Sequence, residues 1–140
     1  MYLLDTDHLT VLGKGGLSAQ RLIAKLATIA PNEIATTIVS YEEQTRGWLS
    51  YIAKAKSINA QIDAYQDLQQ HLTNFCAMRV VQFDAPASAD FVRLRKAYPR
   101  LGTMDLKIAA IALSQNAILL SRNLSDFAQI TTLQIEDWTT

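Results

Sequence analysis

The sequence predicts an α/β fold, a three-layer α/β/α sandwich with a mostly parallel central sheet. Three observations lead to it. Short strand-like runs alternate with helical stretches of ten or more residues along the 140-residue chain, which is the pattern of βαβ units with helices on both faces of a sheet. Hydrophobic residues make up 49% of the chain, enough for a substantial core. The breaks are short and local, at Gly13-Lys14-Gly15-Gly16, Ala30-Pro31-Asn32, Asp84-Ala85-Pro86 and Tyr98-Pro99-Arg100-Leu101-Gly102, with no repeat or low-complexity linker between them. Residues 1–140 therefore read as a single domain.

The elements follow in order. Tyr2 to Leu4 is a buried-looking strand that runs straight into Asp5, Thr6, Asp7 and His8. Leu17, Leu22, Ile23, Leu26 and Ile29 recur at helical spacing, with Ser18 as a possible cap. Glu33 to Thr36 is a short strand candidate. A helix runs from about Ile38 through Trp48 and Ile52, and another follows Ser57 with Ile58, Ile62, Tyr65, Leu68, Leu72 and Phe75 on one stripe. Val80 to Phe83 reads as a β-branched strand. Pro86 suits the first turn of a helix carrying Phe91, Leu94 and Tyr98, and Pro99 ends it. Thr103 can cap a helix over Met104 to Ser114, and strands are expected at Ile118 to Leu120 and Leu133 to Ile135.

Composition excludes several classes. Thirteen basic and thirteen acidic residues cancel, so no broad positive field draws in nucleic acid and any polyanion must be held locally. Cys76 is the only cysteine, which rules out an intrachain disulfide and a thiolate-rich zinc site; it reads as a small core residue in a helix. No apolar run approaches the roughly 20 residues of a membrane span. Asp5 and Asp7 interrupt the place of a secretory h-region, so a cytoplasmic location without membrane attachment is expected.

The carboxylates carry the chemistry. Asp5 and Asp7 follow the first strand, Glu42 and Glu43 lie early in the helix after the second, Asp105 opens a later helix, and Asp126 follows the strand Ile118 to Leu120. Taken singly, each is explained as a cap, a turn residue or a complement to a helix dipole. Together they sit at four strand exits or adjacent helix starts, where open α/β sheets place their functional crevice. Carboxylates gathered there repel one another unless a cation compensates them, and oxygen donors suit Mg²⁺ or Mn²⁺ over Zn²⁺. The chemistry favoured by such a site is attack of a metal-activated water on a phosphodiester.

Five stretches in order, "LLDTDHL", "TTIVSYEEQTRG", "GTMDLKIAAIAL", "ILLSRNLSDF" and "LQIEDW", resemble the PIN-domain ribonucleases, specifically the VapC-like toxins of toxin–antitoxin pairs. The resemblance covers nearly the whole chain. It implies that Asp5, Glu43, Asp105 and Asp126 hold the divalent cation. Glu43 is preferred to Glu42 because the family's glutamate stands four residues before a glycine, here Gly47; neighbouring helical residues also point about 100° apart, so only one of the pair faces a pocket. Ser121 and Asn123 are expected to orient the metal shell, Ser121 standing where threonine is common. Thr6 either supports that shell or caps the following helix. The resemblance further implies an RNA substrate, a cognate antitoxin whose carboxyl-terminal segment covers the acidic groove, and a homodimer.

The remaining polar residues have plainer readings. Asp7 is a less secure ligand, His8 a partly exposed bystander, and His71 structural or exposed within its amphipathic helix. Arg46, Lys107 and Arg122 could contact RNA phosphates or serve as solvated charges and ion-pair partners. Tyr41, Trp48 and Tyr51 read first as packing, and the region around Tyr51 and Tyr65 as a contact surface for a partner. Two other functions compete: a haloacid-dehalogenase-type phosphatase with Asp5 as nucleophile and Asp7 as its acid/base partner, and a non-catalytic PIN-like binding module. The first lacks the glycine and threonine expected after the Asp pair, where His8 and Leu9 stand. An intact acidic quartet argues against the second.

Overall fold

Five strands, β1 (Tyr2–Leu4), β2 (Ile34–Thr37), β3 (Val80–Val81), β4 (Ile118–Leu120) and β5 (Gln134–Glu136), all pair in parallel in the order β3-β2-β1-β4-β5. The structure is a computed structural model that describes residues 1–140. Seven helices connect or flank the strands: α1 (Thr6–Lys14), α2 (Gly16–Leu26), α3 (Ile38–Lys54), α4 (Ile58–Cys76), α5 (Ala85–Ala97), α6 (Thr103–Ser114) and α7 (Leu124–Phe127). None is long and apolar enough to cross a membrane.

Successive strand residues point to opposite faces, and this alternation divides the core. Leu3 and Leu119 pair across β1 and β4 and pack with Leu106, Ile108 and Ile111 of α6 and Leu94 of α5. Leu4 and Leu120, one residue on, face the other layer with Leu9 and Val11 of α1, Leu22 of α2 and Phe75 of α4. Four leucines so fully enclosed contribute roughly 1.5–3 kcal/mol each through burial. The predicted three layers are present.

The parallel order also creates the crevice. The chain runs from β1 outward to β2 and β3, then crosses back through α5 and α6 to β4 on the other side of β1. The order therefore reverses between β1 and β4, and a crevice opens at their carboxyl ends. Asp5 leaves one wall and Ser121 the other, tied by the Asp5 N–H donating to the Leu120 carbonyl at 3.0 Å. Helix α6 leads into β4, so its amino-terminal turn, with Asp105, lies at the same rim.

Several local expectations need correction. Ser18 lies inside α2 and caps nothing; the helix follows Gly15, and Gly15 and Gly16, with φ of 73° and 87°, turn the chain directly out of α1. Thr103 is the first residue of α6 after Gly102, not its cap. Ser57 and Asp84 cap α4 and α5, their side chains accepting from the N–H groups of Ala60 and Ala87. Strand β2 begins one residue later than expected because Pro31–Glu33 forms a 3₁₀ turn, β3 stops at Val81, and β5 is shifted by one residue. On α4 the buried face is Ala64, His71 and Phe75, while Ile58, Ile62, Tyr65 and Leu72 of the predicted stripe are exposed. Cys76 is exposed as well, since it lies about 100° around the helix from buried Phe75.

Candidate active site

Each carboxylate at the crevice is placed by its own element and held by a donor from the chain. Asp5 follows β1 as the N-cap of α1, its Oδ1 accepting the His8 N–H at 2.8 Å. This makes Asp5, not Thr6, the cap. Thr6 opens the helix and its hydroxyl donates to Glu43 Oε1 at 2.6 Å, so of its two predicted roles the structure selects support of a carboxylate. Thr37 caps α3, accepting the Ser40 N–H, and Glu43, in the second turn of that helix, faces Thr6. Glu42 points away, to Arg46 one turn on at 2.5 Å. Of the two neighbouring glutamates, Glu43 is thus the one turned toward Thr6 and the β1–α1 turn, and Glu42 the one in a surface pair.

Asp105 and Asp126 share one donor. The Asn123 side-chain amide reaches Asp105 Oδ2 at 3.4 Å and Asp126 Oδ2 at 3.1 Å, while the Asn123 N–H donates to the fully buried Ser121 hydroxyl. Ser121 thus sets Asn123, and Asn123 sets two acids. The electrostatics report the crowding: burial raises the Asp105 pKa above the usual carboxylate range, and the negative charges of Glu43, Asp126 and Asp5 raise it further. All four predicted acids therefore act on one crevice, although no three of them close tightly enough, as placed, to grip an ion. Their chemistry fits a hard divalent cation nonetheless: the donors are all carboxylate oxygens, and a cation among them would relieve the repulsion acting on Asp105.

The basic and aromatic residues divide differently. Asp7 turns outward and receives Arg122 through Nε at 2.6 Å and Nη2 at 3.3 Å. That exposed ion pair engages the carboxylate which the phosphatase reading needs as an acid/base partner. Lys107 lies 5.8 Å from the ring centres of both Phe83 and Phe91, a cation–π position. His71 is buried; its Nε2 pairs with the Thr45 hydroxyl at 2.8 Å and its ring stacks on Tyr41, while desolvation lowers its pKa. Trp48 meets Tyr51 edge-on, and a groove of about 680 Å³ runs past Trp48, Tyr51 and His71 to Thr6 and Glu43.

His8 overturns its expectation most clearly. It is 0% exposed and lies between Asp5 and the carboxyl-terminal segment, where the Trp138 N–H donates to its Nε2 at 3.3 Å. Asp137, which sequence reading overlooked, stands 3.8 Å from the same nitrogen and accepts from the N–H and hydroxyl of Thr139. The clue was its place directly after the last strand, at the rim where the other acids gather.

Known proteins show the same architecture. Ribonuclease VapC1 of Haemophilus influenzae strain R2866 is 28% identical over 141 residues, which span 99% of this chain and 98% of that protein. The structure of VapBC-1 from nontypeable Haemophilus influenzae aligns with a TM-score of 0.72 at 26% identity, covering 99% of this chain and 98% of that one. VapBC2 from Rickettsia felis, bound to a DNA fragment from its promoter, aligns with a TM-score of 0.74 at 24% identity over 98% of each chain, a likeness of fold. The model of the PIN domain family matches residues 2–133, and the chain belongs to that family.

Proposed function

We propose that this protein is a divalent-metal-dependent endoribonuclease acting as the toxin of a toxin–antitoxin pair in the cytoplasm. The observation that carries the reading is the meeting of Asp5, Glu43, Asp105 and Asp126 around one crevice at the β1/β4 switch point, with Asp105 already under the field of the other three. The relatives named as ribonucleases and solved as VapBC complexes support it.

In this reading the four carboxylates hold Mg²⁺ or Mn²⁺. Such an ion supplies an activated water and stabilises charge on a phosphodiester's leaving oxygen. The protein's part is positional. Thr6 holds Glu43, Ser121 and Asn123 hold Asp105 and Asp126, and the β1–α1 turn holds Asp5. The groove past half-buried Trp48 and exposed Tyr51 gives an RNA strand a path to Glu43, and stacking on an aromatic ring needs no particular base.

An antitoxin partner is supported by α3 and α4, where Leu49, Tyr51, Ile62, Tyr65 and Leu72 are exposed; large apolar side chains left uncovered on one helix pair are material for an interaction surface. A homodimer fits the same reasoning. Sequencing RNA ends after controlled expression of the parent and of Asp5→Asn tests activity and target together. New ends should appear with the parent alone; identical end profiles would contradict the proposal.

A further inference from the structure

The His8 imidazole is more enclosed than a bystander needs to be. It is fully buried, and its Nδ1 is the one buried side-chain nitrogen or oxygen without a hydrogen-bond partner. The other ring nitrogen settles the tautomer. Because Nε2 accepts the Trp138 N–H, it carries a lone pair, and the neutral ring must hold its proton on Nδ1. That N–H has one acceptor nearby, Asp5 Oδ1 at 3.5 Å. The same oxygen already accepts the His8 backbone N–H. Asp137, near Nε2, takes its own hydrogen bonds from Thr139 and does not compete for the ring proton.

We infer that His8 is a positioning residue for Asp5: its Nδ1–H fixes one carboxylate oxygen, and its Nε2 anchors the ring to the backbone at Trp138, beyond β5. The inference rests on Asp5 being a metal ligand and adds what holds it. The Nδ1 to Asp5 contact lies at the outer limit of hydrogen-bond distance, and closing it gives the one unpartnered buried side-chain nitrogen its acceptor. Carboxylates that bind metals commonly need such an outer partner. Here it also makes the carboxyl-terminal segment part of the site, across 130 residues of sequence.

The test uses the purified full chain and Mn²⁺ alone. Nitrogen-15 NMR of the histidine side chains, with His8 and His71 distinguished by His71→Gln, should find the His8 ring proton on Nδ1. Calorimetry should show His8→Phe, which keeps the ring shape without a donor, binding Mn²⁺ about ten- to hundredfold more weakly. His8→Asn, whose amide nitrogen can take the Nδ1 place, should stay within about threefold of the parent. A proton on Nε2, unchanged Mn²⁺ affinity in His8→Phe, or equal weakening in both variants would overturn the inference. If His8→Phe does not fold, the parent's tautomer and the affinity of His8→Asn decide. A protein that binds Mn²⁺ in this His8-dependent way yet cuts no RNA removes the ribonuclease reading and leaves this one standing.

Discussion

At Asp105 the fold and the proposed chemistry pull in opposite directions. Burial and three neighbouring carboxylates raise its pKa, so the folded protein takes up this proton more readily than the unfolded chain. The sign follows: without metal, Asp105 lowers stability above its raised pKa, and that loss is relieved as pH falls through it. Asp105→Asn should therefore raise the metal-free Tm, by about 2–4 °C for roughly 1 kcal/mol, while RNA cleavage falls at least about 100-fold, beyond what losing an outer partner usually causes. A variant less stable than the parent would contradict this account of the crevice. The adjacent glutamates give a cleaner comparison. Glu43→Gln should lose cleavage as Asp105→Asn does, while Glu42→Gln, which breaks only a surface pair with Arg46, should cut within about twofold of the parent, since such pairs contribute little.

Among the elements, α6 and α3 illustrate opposite constraints. Six of the twelve residues of α6 are buried, including Ile108 and Ile111, because the helix lies between α5 and the sheet. Ile111→Ala should cost about 2–5 kcal/mol, read by urea unfolding, through lost burial and the cavity left behind. In α3, Gly47 lies mid-helix with a negative φ, and a Cβ added there meets nothing within 4 Å. Gly47→Ala should accordingly stabilise the fold by about 0.5–1 kcal/mol, and a loss of stability would show that the helix is constrained there in some other way. The strands, to within one or two residues at their ends, and the acids following them were legible in sequence because β-branched or apolar runs, prolines and carboxylates act locally. The exposure of most of the α4 stripe was not, since periodicity gives the apolar face without saying whether another element covers it. Burial of His8 was hidden for a related reason: its lid is Trp138, brought over by β5 from the far end of the chain.

Taken as a whole, the molecule joins two layers through a sheet whose strands are at most four residues long, and its charges make that union pH-dependent. Burial holds the His71 pKa below its ordinary value, so the unfolded chain binds the proton first and stability falls as pH drops below about 6.5. Asp137 acts lower. Burial alone would raise its pKa, but the Thr139 hydrogen bonds, with Arg122 nearby, leave it depressed, so its contribution is lost below about pH 4. Relative to His71→Gln, the parent should lose more stability between pH 7 and pH 5 in denaturant titrations; parallel curves would remove His71 from the explanation. Metal should act in the opposite sense, raising Tm by linkage, with about 2.7 kcal/mol gained at an Mn²⁺ concentration 100 times its Kd.

Whether Asp5, Glu43, Asp105 and Asp126 form one metal centre that cleaves RNA is decided by a cleavage assay on purified, partner-free protein. Parent and Asp5→Asn are compared side by side in Mn²⁺, in Mg²⁺ and in chelator. The account predicts internal cleavage by the parent with metal, none in chelator, and at least about a 100-fold loss in Asp5→Asn, more than an outer partner's removal causes. Cleavage that persists in chelator, or an Asp5→Asn variant that cuts as well as the parent, would contradict it.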